Sequence, residues 1–355
     1  MVHFPSDVEK GLATKVVART GGLPLAILRL GYRLQKATTK ELSRVPEGIS
    51  HGQNQTPWLG TWKMNKEDFQ KEPILGKCFS YFEFFPRDFK IPSRRLVALW
   101  VASGVLKGAD GREKTREEVA VDYLQESIDR NMIQTKQEAA RSLVSFDRQV
   151  AYRCDDNDAS NGRSIHGLEY SLSENVLQEE KRPNYVMFFG TREGEKPAEE
   201  IGQFLLKSIS GGHFRDLLVL DLEGVFRSHL PESLGKLKKL TYLGLRRTNL
   251  ETLPSSMGNL SQLQTLDLKH TYVWTLSNST WKLKKFRHLY LNQHCRIAVM
   301  PQPISSSMKY LQILCGVVLD HKRSALTDGL GRLGDLRKLE VTILDSVRQE
   351  SQEGS

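Results

Sequence analysis

Between residues 242 and 293 the side chains best able to engage another molecule recur on one spacing. Tyr242, Gly244, Arg246 and Arg247 are followed 23 positions later by Thr265, Asp267, Lys269 and His270, and after another 23 by His288, Tyr290, Asn292 and Gln293. Arginine, lysine, tyrosine and histidine in register supply charge, hydrogen bonds and flat apolar faces, which is the chemistry of recognition rather than of bond making. Tyr242, Arg246, Lys269, His270, His288 and Tyr290 are therefore the candidate partner-binding residues. The competing reading is a solvated face, since any regular array must expose something.

Residues of the catalytic types lack catalytic spacing. Cys78, Cys154, Cys295 and Cys315 form no C-x-x-C pair, which argues against a zinc site or a disulfide framework and for a reducing compartment. No nucleophile–base pairing or metal-ligand spacing stands out, so the chain is expected to be neither an enzyme nor a metal protein. Gly108-Ala-Asp-Gly111-Arg-Glu-Lys114-Thr115 and Gly190-Thr-Arg-Glu-Gly194-Glu-Lys196 approach a phosphate loop. Neither has the G-x-x-x-x-G-K-[ST] spacing that aims successive backbone N–H groups and a lysine at phosphates. No nucleotide cofactor is expected in this chain.

The elements that must position the recurrent residues are set by a leucine comb. Leu217-x-x-Leu220-x-Leu222, Leu240-x-x-Leu243-x-Leu245, Leu263-x-x-Leu266-x-Leu268 and Phe286-x-x-Leu289-x-Leu291 share the 23-residue period, and looser copies follow at Leu311 and Leu336. This is the leucine-rich-repeat pattern, in which each unit buries its leucines only against its neighbours and the array forms a solenoid with a concave sheet. Residues alternating with the leucines point to the concave face. Residues 230–290 carry 10 basic and 3 acidic side chains, whereas residues 155–200 carry 5 basic and 11 acidic. Lys236, Lys238, Lys239, Lys282, Lys284, Lys285 and Arg287 read as a solvated rim, with a nucleic-acid surface or an acidic intramolecular partner as alternatives.

Upstream, the 355 residues divide into further parts. Apolar residues at helical spacing mark a helix over 7–20, Gly21-Gly22 stops it, and Pro24 opens a second. From residue 74 to 154 the chain reads as one compact unit. Ser93 caps a helix burying Leu96, Val97, Leu99 and Trp100 and ending at Gly104. Thr115-x-x-Glu118 is a capping box for a helix burying Val119, Tyr123, Leu124 and Ile128. Leu143-Val144-x-Phe146 and Val150-x-Tyr152 read as a hairpin, and helices followed by a small hairpin make a winged helix. The boundaries are a helical segment at 1–60, a winged helix at 61–154, a charged linker at 155–184 and the repeats at 185–355. The class is α/β: a helical subdomain plus winged helix followed by a leucine-rich-repeat solenoid. There is no run of 18 apolar residues and no basic-then-apolar leader, so a cytoplasmic protein is expected.

Five stretches in order resemble the plant nucleotide-binding leucine-rich-repeat disease-resistance proteins of the coiled-coil type. They are Gly21-Gly22-Leu23-Pro24-Leu25-Ala26; Cys78-Phe79-x-Tyr81 through Phe85-Pro86-x-Asp88-Phe89; Leu99-Trp100-Val101-Ala102-Ser103-Gly104; Tyr123-Leu124-x-x-x-Ile128-x-Arg130-x-Met132-Ile133; and Phe214 through Gly224.

That resemblance implies an intracellular immune receptor whose repeats sense pathogen signals and hold an ADP-to-ATP switch shut. Intact members bind ADP or ATP. Here the phosphate loop is missing, so the resemblance implies a chain that starts after it and an incomplete switch. Pro24 matches the family's adenine-contacting proline. His166, in Ile165-His166-Gly167, is the candidate for the histidine that reaches the β-phosphate, although Gly167 stands where the family has aspartate. The implied partners are a pathogen effector or a guarded host protein, the nucleotide-binding module, or a signalling protein. The alternatives are a repeat scaffold or decoy without signalling output and a DNA-binding winged helix. Against the second, only Arg94 and Arg95 on the helix from 94 to 103 are placed to reach phosphates.

Overall fold

The computed structural model describes Thr14 and residues 69–85, 90–106, 114–130, 132–136, 149–151, 163–165, 168–172, 183–189, 198–225, 230–281, 283–292, 308–320 and 333–344. Two compact units meet in sequence at Asp155 and Asp156.

Among its described residues, the first unit shows a helical Thr14, three further helices and a small sheet. Proline at the start of α1 (Pro73–Ser80) suits the first helical turn, where an N–H would have no partner. A short 3-10 helix (Tyr81–Phe84) continues it, and the rings of Phe69, Phe79 and Phe82 pack in sequence at 5.1 and 5.4 Å. Helix α2 (Ser93–Ser103) ends at Gly104, whose φ of 76° is the left-handed conformation glycine adopts without strain. Ser93 does not cap it: the N-cap position is Pro92 and carries no capping side chain. Helix α3 (Arg116–Asp129) has the capping box in full, with Thr115 N–H donating to Glu118 Oε2 at 2.7 Å and Glu118 N–H to Thr115 Oγ1 at 3.3 Å. At its other end the Arg130 guanidinium bonds Glu126 at 2.6 Å and also Glu72 beside α1, tying the two helices.

Two expectations need correction here. Leu96, Val97, Leu99 and Trp100 are buried as expected, but the buried stripe of α3 is Glu117, Ala120, Leu124 and Ser127. Val119, Tyr123 and Ile128 are half-buried. Close helix approach selects small Ala120 and Ser127, and the Ser127 hydroxyl satisfies itself on the Tyr123 carbonyl at 2.8 Å. Strand β3 (Gln149–Ala151) pairs antiparallel with β1 (Lys90–Pro92) and β2 (Gln134–Lys136), giving the order β1-β3-β2. The hairpin partner of residues 149–151 is thus 134–136; residues 143–146 lie outside the described residues.

Among the described residues, the second unit holds one nine-stranded sheet. Strands β6 (Tyr185–Phe189), β7 (Val219–Asp221), β8 (Tyr242–Gly244), β9 (Thr265–Asp267), β10 (His288–Tyr290), β11 (Ile313–Asp320) and β12 (Lys338–Leu344) run parallel. Leu220, Leu243, Leu266, Leu289 and Leu314 are paired across them and fully buried. The comb therefore sets the register. The linker expected at 155–184 contains two strands, β4 (Arg163–Ile165) and β5 (Leu168–Leu172), added antiparallel to β6. Its charge hides a period-two pattern of Leu168, Tyr170 and Leu172, the alternation of a β-strand. Helix α4 (Ala198–Ser210) connects β6 to β7, and its Ile201, Leu205 and Ile209 join the repeat core.

Behind the strands, 3-10 helices (Glu232–Lys236, Ser255–Asn259) and helix α5 (Asn278–Trp281) stack rung on rung. The Glu232 carboxylate accepts from the N–H groups of Ser255 and Ser256 at 3.0 and 3.1 Å, capping the next rung's turn. Turns this close leave no room for a Cβ: one on Gly235 would lie 2.6 Å from Ser256 Cβ, and one on Gly258 2.7 Å from Ser279 Oγ. Buried Thr248 and Thr271 donate to the Leu245 and Leu268 carbonyls at 2.7 and 2.8 Å, satisfying backbone inside the core.

Candidate recognition surface

The concave face is laid out in rows by the parallel register. One row runs Val219, Tyr242, Thr265, His288, Ile313; the next but one runs Asp221, Gly244, Asp267, Tyr290, Cys315, Glu340. Arg246, Lys269 and Asn292 follow the strands, and Tyr290 belongs to the aspartate row rather than with them.

Residues in these rows point away from the leucine core, yet most are covered. Tyr242 and His288 are 1% exposed, Arg246 7% and Tyr290 8%. Strands about 4.8 Å apart bring side chains of one row into lateral contact, so each shields the next. His288 Nδ1 lies 2.9 Å from Thr265 Oγ1, and the His288 and Tyr290 rings are 6.5 Å apart. These four candidates form a lateral packing layer rather than a set of open contacts.

The strand ends show how the polar groups are held. Asp221 and Asp267 each accept from the backbone N–H two residues on, Glu223 at 2.9 Å and Lys269 at 3.0 Å. Between them stands Gly244, where a Cβ would collide with the Asp221 carboxylate. Arg246 Nε lies 3.8 Å from Asp267 Oδ2, an ion pair too long for a hydrogen bond. The Lys269 ammonium lies 3.0 Å from Glu340. Burial raises the Glu340 carboxyl, but the Lys269 bond and charge outweigh it and hold the group below the ordinary carboxylate range. Burial, reinforced by Glu340, pushes the Cys315 thiol up to about 11, so it is inert at neutral pH.

His270 is the one exposed residue of the six candidates, and Lys269 is half-buried. His270 (φ 62°) and Arg247 (φ 58°) hold the left-handed conformation that Gly224 (φ 84°) holds one rung earlier. Partial burial, then Arg246, Arg247 and Lys269, lower the His270 pKa below 6.5, so its ring is neutral at pH 7. Sequence reasoning missed Tyr272 and Trp274, each 52% exposed just past His270. Their signal was present: they alternate with Thr271 and Val273, which occupy repeat positions that face the core. Pro24 and His166 lie outside the described residues.

Two further observations bear on the alternatives. Arg95 is buried, its guanidinium carbon 5.3 Å over the Phe85 ring, so it is not placed to meet a DNA phosphate and Arg94 alone remains. Among the described residues no group of three or more metal-ligating side chains gathers, and no helix is long and apolar enough to cross a membrane.

Comparison with known proteins agrees with this architecture. Residues 84–148 match the family model described as the disease resistance protein winged helix domain, and residues 203–355 that described as a leucine-rich repeat region. A disease-resistance relative from Arabidopsis thaliana is 29% identical over 273 residues, 68% of this chain and 30% of that protein. A ToMV resistance protein of Solanum lycopersicum is 26% identical over 171 residues, 47% of this chain and 18% of that protein. The chain thus spans less than a third of the length of these relatives. A leucine-rich-repeat protein of Leptospira interrogans is a structural neighbour with a TM-score of 0.32 and 27% identity, covering 37% of this chain and 33% of that one. A winged helix of the disease-resistance type is thus followed on the same chain by a leucine-rich repeat region, an arrangement that makes the chain similar to plant disease-resistance proteins.

Proposed function

We propose that this chain is the sensing and restraining segment of a cytoplasmic plant immune receptor. The repeats meet a pathogen effector or a guarded host protein, and the same surface contacts a nucleotide-binding module or signalling partner. The chain itself performs no chemistry. ADP or ATP belongs to the intact receptor, and Pro24 and His166 are the residues here that would face it. The observation carrying the reading is the order of parts: a family-type winged helix, then a solenoid of paired parallel strands whose strand-end edge displays cations and aromatics. Burial of Arg95 disfavours the DNA-binding alternative.

The test is to graft the chain in place of the matching segment of the Arabidopsis relative and score cell death in leaves challenged with a panel of pathogens. The expected result is a response whose pathogen specificity follows the graft. A folded, expressed graft that keeps the parent's specificity would overturn the reading and leave a repeat scaffold or decoy.

A further inference from the structure

The edge of the solenoid past the ends of β8 and β9 carries a feature that the concave-face reading does not use. After His270, Thr271 and Val273 are buried while Tyr272 and Trp274 are exposed. Exposing two large aromatics side by side lacks a folding rationale, because each would gain by burial. They do not stand alone. Tyr272 N–H donates to the Leu250 carbonyl at 2.7 Å, laying this strip against the preceding rung, and Arg247 N–H donates to the Lys269 carbonyl at 3.2 Å. Arg247 and His270 therefore sit side by side at one end of the aromatic strip, both exposed and both held outward by the left-handed backbone.

The charge here is positive and directional. Exposed Arg247 supplies that charge at the strand end of the strip; half-buried Lys269 behind it is already paired with Glu340, and exposed Glu251 lies one rung before Trp274. Asp267 is already engaged by Arg246 and by the Lys269 backbone. A complementary partner presents a carboxylate to Arg247 and His270 and an aliphatic side chain to Tyr272 and Trp274. We propose that Arg247, His270, Tyr272 and Trp274 form a docking edge for a short acidic, aliphatic polypeptide segment. A nucleic acid fits less well. Its backbone needs a groove of cations along several nucleotides, and here it would run from Arg247 onto Glu251. Arginine and large aromatics are also the residues that dominate protein interfaces.

This inference rests on the reading of the repeats as a recognition module, and the two can fail separately. The experiment is fluorescence anisotropy on the full chain with a labelled 12-residue peptide of alternating Glu and Leu. A Lys–Leu peptide and an oligouridylate serve as competing probes. The expected result is saturable binding of the Glu–Leu peptide, with a Kd below about 1 mM. The double variant Tyr272→Ala, Trp274→Ala should lose at least about ten-fold. Arg247→Asn, which tolerates the left-handed backbone, should weaken binding, whereas Lys284→Glu with Lys285→Glu should not. Unchanged thermal melts confirm that the variants fold. No Glu–Leu binding, equal binding by the aromatic double variant, or preference for either competing probe would overturn the proposal. So would a self-association, seen by sedimentation, that the aromatic double variant abolishes. A negative peptide result with a specificity-changing graft sinks only the docking edge; the reverse pattern sinks the receptor reading.

Discussion

The Lys269 ammonium and the Glu340 carboxylate, 71 residues apart in sequence, meet at 3.0 Å. Strands β10 and β11 lie between their own strands in the sheet, so the pair straps the concave face across the row holding Tyr290 and Cys315.

Because both ends of that strap are partly exposed, Lys269→Met should cost no more than ~0.5 kcal/mol near neutral pH. The sign with pH is definite. Glu340 is held below its ordinary 4.5, so its contribution is complete above that pH and is lost as pH falls through the lowered value. Urea melts of wild type and variant should therefore differ at pH 6, and the gap should narrow as the pH falls below 4.5. A gap that widens in acid would contradict the assignment.

Leu266 sits in the fully buried leucine row, and Leu266→Ala should lower stability by ~2–5 kcal/mol, since the stacked rungs relax little around a void. Exposed Lys238 donates from Nζ to the Asn259 carbonyl at 3.2 Å, and Lys238→Ala should change stability by ~0.5 kcal/mol or less. Equal losses in denaturant melts would mean that the register is wrong.

On the opposite face, Gly258→Ala should cost ~1–3 kcal/mol by forcing the rung carrying Ser279 outward. The obstruction includes Ser279 Cβ itself, so a second change Ser279→Gly should recover part of the loss whereas Ser279→Ala should not. A double-mutant cycle measures both, and equal rescue would place the obstruction elsewhere.

His270 supplies a pH test of the strand-end cluster. Its folded pKa is depressed, so its contribution to stability is intact above the ordinary 6.5 and declines as pH falls through the lowered value. His270→Gln should flatten that part of the stability curve, and an NMR titration should place the wild-type ring below 6.5. A ring titrating above 6.5 would show that the surrounding cations do not act on it.

Much of this was legible in the sequence, because period and burial agree wherever leucine is concerned. The strand register, the capping box at Thr115 and the end of α2 at Gly104 each follow from residues acting on near neighbours. Solvent access was not legible in the same way. Periodicity says which face Tyr242 and His288 occupy, but their exposure depends on neighbours 23 residues away that stand beside them in the sheet. Strand β4 escaped notice because an edge strand tolerates charge and reads like a linker, and β5 because its alternating apolar residues lie in the same charged stretch. In α3 the choice of Ala120 and Ser127 for close packing outweighed the larger apolar residues nearby. Tyr272 and Trp274 were passed over because attention fell on the strands instead of the segment following them.

The left-handed slot after each strand has an evolutionary consequence. Gly224, Arg247 and His270 share one backbone conformation while their side chains range from none to a cation. Substitutions there by residues that tolerate the left-handed backbone leave the leucine ladder untouched and alter only what the edge displays, so mutation can explore new binding chemistry without repacking the core. Residues in the covered rows, such as Tyr242 or His288, lack that freedom, since each change must suit the rung on either side. Diversifying selection in this lineage should therefore concentrate at slots such as 247 and 270 and spare 242 and 288.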